Sequence, residues 1–448
     1  MMKKTLGKNA IVDIFKLCAL VAFFCVLNIS PIFAAHLTNS DRECQSDIIT
    51  VTSGVYVSVG NTRANITLIE GDSGAIIVNT GDNLETAKKV LSQFQQVTQK
   101  TIQAIIYTHS YDDHIGGTLA FLANDRIPIY ARDNFQKGGI IDRKIKAINR
   151  ARNEMKHGFF LNPEELSSIN EMWCKQEITH RVDGFVPPNH RFAQERVSLN
   201  IAGITLELVA APGDSQDELY VWLPDKKVLL CGDNFYSSFP SLYSIRGVSR
   251  NIEHWVRTLD KILAEAPEYL IPSRSFPIIE SDKIQHILTD YRNSMNFILE
   301  RTLEGITQGL TIDELIEVVK LPPELVSAPY LHEKDGNIAW TVRGIYSHYL
   351  GWFDGNPTHI FPLSALEKAT RIVRLAGGKE QLWQAMQTAF SHGDYQWTLQ
   401  LTDYLMVLEF HTEEVKHLRA KTLRRLAERE TNVSAHNYYV SSAKQLEQ

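Results

Sequence analysis

Histidine and aspartate crowd into one short segment, Thr108-His109-Ser110-Tyr111-Asp112-Asp113-His114-Ile115-Gly116-Gly117. Imidazoles and carboxylates at this density suit a borderline-hard divalent ion. The glycine pair that follows lets another backbone approach closely. Alone, such a run is weak evidence. Two acidic loops downstream strengthen it: Pro212-Gly213-Asp214 and Cys231-Gly232-Asp233-Asn234. Together they point to a divalent-ion site gathered from several strand ends. His157, His180, His190, His348 and His392 have no such partners and read as surface or packing residues.

The elements that must position these loops are legible from hydrophobic periodicity. Residues 84–96 place Leu84, Ala87, Val90, Leu91 and Phe94 near helical spacing, and residues 102–108 follow as a strand. Strand, helix, strand at this spacing implies a right-handed parallel crossover. His109 then sits at the carboxyl edge of a sheet, where open α/β sheets bind ligands. Upstream, residues 48–59, 66–70 and 75–78 read as strands punctuated by Gly71, Gly74 and Gly81. Residues 129–200 are irregular, polar and mostly helical, which reads as an insertion. Strands resume at 204–209, 219–223 and 228–230, and a helix at 252–264 leads into a strand at 269–271. Beyond Asp282 the pattern is almost wholly helical. Residues 366–448 read as three or four amphipathic helices of the tetratricopeptide kind. Trp340, Trp352 and Phe353 are expected in core or interdomain packing.

A chain of 448 residues implies two domains. Hydrophobic content of 44% and charged content of 22% describe a soluble globular protein. The net charge of −6 favours solubility and names no partner, and the absence of a polybasic run argues against nucleic acid. Residues 1–34 read as a signal peptide: Lys3, Lys4, Lys8 and Lys16 precede an apolar stretch at 17–27, and Ala34-Ala35 offers a cleavage position. Export to a periplasm, or secretion, is the expectation. Of five cysteines, Cys44, Cys174 and Cys231 would remain, too few and odd in number for a disulfide framework. A Cys44–Cys174 bridge stays open, and Cys231, within an apolar strand, reads as a buried thiol.

The histidine segment resembles the HxHxDH signature of metallo-β-lactamase-fold hydrolases. Other segments are similar to their alkyl/aryl sulfatase branch: Asn65-Ile66-Thr67-Leu68-Ile69-Glu70-Gly71, Leu223-Pro224-Asp225-Lys226-Lys227, Gly232-Asp233-Asn234-Phe235-Tyr236, Leu242-Tyr243-Ser244-Ile245-Arg246-Gly247 and Tyr349-Leu350-Gly351-Trp352-Phe353-Asp354-Gly355-Asn356-Pro357. The resemblance implies an α/β fold: an αββα sandwich over residues 35–285, with 129–200 inserted, then an all-α dimerisation domain over 286–448. It implies zinc, one or two ions, and cleavage of an anionic sulfate-type ester with an apolar tail. It implies a homodimer formed through the helical domain. Carried onto this chain, it assigns His109 and Asp214 to one ion and Asp113, His114 and a bridging Asp233 to the other. Asp113 takes a catalytic role, Arg246 meets the sulfate oxygens, and Asn234, Tyr236 and Tyr243 line the pocket.

Four positions depart from that pattern. Tyr111 replaces the second histidine of the signature, Arg274 stands where relatives carry histidine, Asp214 replaces Glu, and Asn79 replaces a supporting Asp. A guanidinium at 274 either repels a divalent ion or pairs with Asp113 or Asp233, standing in for the metal's charge. A full dinuclear site is therefore not expected. Two functions remain open: a hydrolase working through a residual metal, and an inactive relative that binds an amphiphile or a protein partner.

Overall fold

A computed structural model describes residues 47–122, 127–137, 144–162, 164–166, 183–245 and 250–448. The leader, Cys44, Cys174, His180 and Arg246 fall outside these residues. The β-branched run at 48–59 folds as a hairpin of β1 (Asp47–Thr52) and β2 (Val55–Val59), followed by β3 (Ile66–Glu70) and β4 (Ala75–Val78). Helix α1 (Leu84–Val97) starts on Asn83, whose side chain accepts from the backbone of Glu85 and Thr86. It crosses to β5 (Ile102–Ile106), parallel to β4 as its spacing requires. The single turn α2 (Asp112–Ile115), β6 (Ile129–Arg132), α3 (Lys146–Lys156) and β7 (His190–Phe192) follow. Strands β1 to β7 lie in sequence order in one seven-stranded sheet.

A six-stranded sheet takes β8 (Arg196–Ile201), β9 (Ile204–Ala210), β10 (Leu219–Leu223), β11 (Val228–Gly232), β12 (Tyr269–Pro272) and β13 (Ile278–Ile279), with α4 (Ile252–Ala264) crossing from β11 to β12. The sheets pack face to face through Val57, Ile69, Ile76, Ile106 and Leu206, Val221, Leu230, Ile271. The outer face of the first sheet is covered by Ala87, Val90 and Phe94 of α1. The outer face of the second is covered by Trp255, Leu259 and Ile262 of α4. Four layers, helix–sheet–sheet–helix, result.

The expected boundary at 285/286 falls inside a continuous helix, α5 (Ser281–Thr307). Its Ile284, Leu288, Tyr291 and Met295 join the core of α4 and Phe235, so the helical region is seated on the sandwich through a shared apolar cluster. Helices α6 (Ile312–Val318), α7 (Pro323–Val326), α8 (Ile338–Leu350), α9 (Ala365–Ala376), α10 (Lys379–Ser391), α11 (Tyr395–Val407), α12 (Thr412–Ala427) and α13 (Val433–Leu446) complete the chain. The stretch 129–200 is less of an insertion than its polarity suggests. It supplies β6 and β7 to one sheet and β8 to the other, and α3 docks on α13, where Asn437 and Ser441 donate to the carbonyls of Lys156 and Met155. Trp352, expected in packing, is 77% exposed, beyond the Gly351 cap that ends α8. No helix among the described residues is long and apolar enough to cross a membrane.

Candidate metal centre

The ends of four strands converge on one point. Strand β5 ends at Ile106 and leads to Thr108-His109, β11 ends at Gly232 and releases Asp233, β12 ends at Pro272 and leads to Arg274, and β4 ends at Val78 and releases Asn79. Asn79 ties two of them together. Its Oδ1 accepts from the Thr108 amide and hydroxyl at 3.0 and 3.1 Å, and its Nδ2 donates to Ser273 Oγ at 3.4 Å. It does so from a left-handed backbone (φ 59°), which Asn tolerates better than most residues. The amide of Leu219 donates to Thr108 O at 2.9 Å, joining the two sheets at this edge.

The one-turn helix α2 then brings Asp113 and His114 back over His109. Its carbonyls and amides are stapled to the β4–α1 loop: Thr80 N donates to His114 O at 2.6 Å and Gly116 N to Gly81 O at 2.8 Å. Gly117 is needed here because a Cβ would lie 2.1 Å from Thr80 O. Gly232 plays the same part opposite, where a Cβ would meet the Glu218 carboxyl at 2.4 Å in a backbone with φ 63°.

The two imidazoles lie 4.1 Å apart, ring centre to ring centre, and both are buried. Thr108 Oγ1, already donating to Asn79, is 3.0 Å from His109 Nδ1 and accepts its proton; Glu218 Oε1 lies 3.6 Å away. Asp113 Oδ1 is 3.2 Å from His114 Nδ1. Each partner fixes a tautomer that leaves Nε2 facing the centre, as outer-shell groups do for metal-bound histidine. His109 Nε2, His114 Nε2 and Asp233 Oδ1 are buried and make no well-aligned hydrogen bond to any group outside this trio. One donor atom from each of the three residues lies within 4.8 Å of the other two. His114 Nε2 and Asp233 Oδ1 are 3.3 Å apart. Ligands at about 2.1 Å around a tetrahedral ion sit about 3.4 Å from each other. Buried polar atoms left unpaired are costly, so this donor set fits a divalent ion.

The remaining carboxylates are committed elsewhere. Arg274 donates to Asp233 Oδ2 and to Asp113 Oδ2, both at 2.7 Å. Its loop is held by Asn65, which donates to the carbonyls of Pro272, Ser273 and Ser275. Asp214, expected as a ligand, lies outside the three-residue cluster. Arg250 takes its carboxylate, with Nε 2.9 Å from Oδ1 and Nη2 3.1 Å from Oδ2. Tyr111 packs edge-on against His109 at 4.6 Å and donates to the backbone carbonyl of Asp214 at 3.1 Å.

Charge follows this wiring. Burial, with the cation of His114 close by, pushes His109 down to about 4. Burial alone would also lower His114, but Asp233 and Asp113 outweigh it and hold this imidazole above its ordinary value. Burial would raise Asp113 and Asp233, but Arg274 above all keeps both below the usual carboxylate range. Glu218, 1% exposed, is pushed well up by burial and by Asp233 and Asp214.

Of the residues expected to line a substrate pocket, Asn234 and Tyr236 are buried in packing. Asn234 Nδ2 donates to Ala211 O, and the Tyr236 hydroxyl accepts from the Ser241 amide. Tyr243 is half-buried and shares a cavity with Arg250, Ile252, Leu299 and Ile345. Sequence reading missed Glu218, Asn65 and Arg250. Glu218 was visible as the end of the acidic run Asp214–Glu218, but which acid turns inward depends on the turn that leads into β10. Cys231 is buried, as expected.

The metallo-beta-lactamase superfamily profile matches residues 59–274 and the alkyl sulfatase dimerisation profile matches 311–448. A linear primary-alkylsulfatase of a Pseudomonas strain is 31% identical over 85% of this chain and 73% of its own length. The chain belongs to the alkylsulfatase family of the metallo-β-lactamase superfamily. An (R)-specific secondary-alkylsulfatase of Pseudomonas is 28% identical over 88% of this chain and 61% of its own. A solved stereoselective inverting sec-alkylsulfatase from Pseudomonas superposes with a TM-score of 0.84 at 27% identity, over 91% of this chain and 66% of that one. This alkylsulfatase-family chain thus spans about two thirds of the length of the latter two.

Proposed function

We propose that this protein is an exported, metal-dependent hydrolase of sulfate esters carrying an apolar tail. The observation that carries the reading is the set of three buried donor atoms that face one another, His109 Nε2, His114 Nε2 and Asp233 Oδ1, in a chain whose relatives are named alkylsulfatases. Zinc is the proposed ion, from the mixed imidazole and carboxylate donor set. When bound, it supplies Lewis acidity and activates water. The protein's own part is orientation. Thr108 and Asp113 fix the imidazole tautomers, and Arg274 holds Asp233 so that one oxygen faces the ion. Asp113 is here a positioning carboxylate, bonded to His114 and Arg274, rather than the catalytic group its place in the signature implies. Arg246 is proposed to meet the sulfate oxygens through its fork of donors.

The test is direct. Zinc-loaded protein mixed with primary and secondary alkyl sulfates is expected to release inorganic sulfate, and His114→Ala to abolish the release. Absence of release from loaded wild type overturns the reading. One observation favours the rival: a guanidinium locked between Asp113 and Asp233 closes the cluster as an ion-pair lattice, as a binder without turnover would. Calorimetry with an alkyl sulfate that binds but is not cleaved would then establish a binding protein. Export is supported by the leader pattern at 1–34, and intact mass of the protein made in a Gram-negative host is expected to begin at Ala35. The C-terminal helices are proposed to join two copies into a homodimer.

A further inference from the structure

We infer that this centre holds one divalent ion per chain and that the Arg274 guanidinium is its built-in second cation. The inference rests on the metal-dependent reading above. It begins with an account of donor atoms. Asp113 Oδ1 is on His114 and its Oδ2 on Arg274; Asp233 Oδ2 is also on Arg274. The Asp214 carboxylate is on Arg250. Glu218 accepts from the amides of Asp233 and Ser215. Among the described residues, the leftover atoms that cluster are one each from His109, His114 and Asp233, the donor set of a single ion. A second ion gains the Oδ2 atoms of Asp113 and Asp233 only by breaking their pairs with Arg274.

Charge points the same way. Asp113 and Asp233 bring two negative charges to a site that Arg274 already half neutralises. One divalent ion leaves the group singly positive. A second would leave it triply positive in a buried pocket, where like charges are poorly screened. Arg274 has no neutral form to retreat to, since guanidinium stays protonated in proteins. The same side chain serves the first ion, because its two bonds hold Asp233 with Oδ1 facing inward and hold Asp113 against His114. One residue thereby builds the first site and fills the second.

Zinc per chain, measured by native mass spectrometry and by elemental analysis after gel filtration in excess zinc, tests this. Wild type is expected to saturate at one ion, and His109→Ala to hold none. Arg274→Lys keeps the charge and is expected to stay at one. Arg274→Ala releases two carboxylate oxygens and is expected to reach two. Wild type at two ions overturns the inference while leaving the hydrolase reading intact. Wild type at zero overturns both. One ion with no sulfate release overturns only the hydrolase reading. Arg274→Ala remaining at one would show that Arg274 is not what excludes the second ion. Should that variant fail to fold, wild type or Arg274→Lys binding two ions still overturns the inference.

Discussion

At the scale of single residues, two buried side chains carry more of the site's geometry than their place in the sequence advertises. Glu218 accepts from two backbone amides beside His109. Glu218→Ala removes both acceptors and leaves a cavity, so a loss of about 2–4 kcal/mol in unfolding free energy is expected. Glu218→Gln keeps an acceptor oxygen and should cost clearly less; equal losses in denaturant titrations would contradict this role. Asn79 combines a left-handed backbone with two bonds to Thr108. Asn79→Ala should therefore cost about 2–3 kcal/mol, from strain and lost bonds together. Asn79→Gly, which relieves the strain alone, should fall between alanine and wild type. If glycine proves as costly as alanine, the backbone conformation contributes nothing.

At the scale of elements, the site depends on α2 lying flat against the β4–α1 loop. Gly117→Ala drives a methyl into Thr80 O and is expected to lower the melting temperature, with about 1–3 kcal/mol lost to overpacking. An unchanged melting temperature would mean that the loops part freely. An ion pair lies beside the docking of α3 on α13: Lys156 of α3 is 3.5 Å from Asp335 in the loop before α8, and Ser434 of α13 bonds the same carboxylate. Burial on its own would raise the Asp335 carboxyl, but Lys156, then Arg250 and Arg274, outweigh it and hold it low. A depressed carboxylate stabilises the fold above its unfolded value of about 3.9 and loses that contribution as pH falls through its folded value. Asp335→Asn should thus destabilise at neutral pH, with the gap from wild type closing in acid. A gap independent of pH down to the acid transition would contradict the ion pair.

At the scale of the whole molecule, the helical region leaves large apolar side chains in solvent. Trp352, Phe361 and Leu375 are 77%, 92% and 85% exposed, and all three fall within the dimerisation profile at 311–448. Exposed apolar groups of this size commonly mark an interface. Sedimentation is expected to give twice the chain mass, falling to the monomer in Phe361→Asp/Leu375→Asp. A monomeric wild type would remove these residues from any interface between copies.

The sequence by itself determined the element types and the strand ends on which chemistry collects, and its resemblance implied the layered α/β fold with His109, Asp113, His114, Asp214 and Asp233 as a two-ion set. Hydrophobic period sets element type, and residue type at a strand end sets what the edge can bind. Only the tertiary structure decided how the carboxylates divide their partners. Asp113 and Asp233 receive Arg274 from a loop that Asn65 pins in place, and Asp214 receives Arg250 from beyond β11. Those pairings join positions far apart in the chain. A guanidinium's reach depends on how two sheets pack, which no local pattern records.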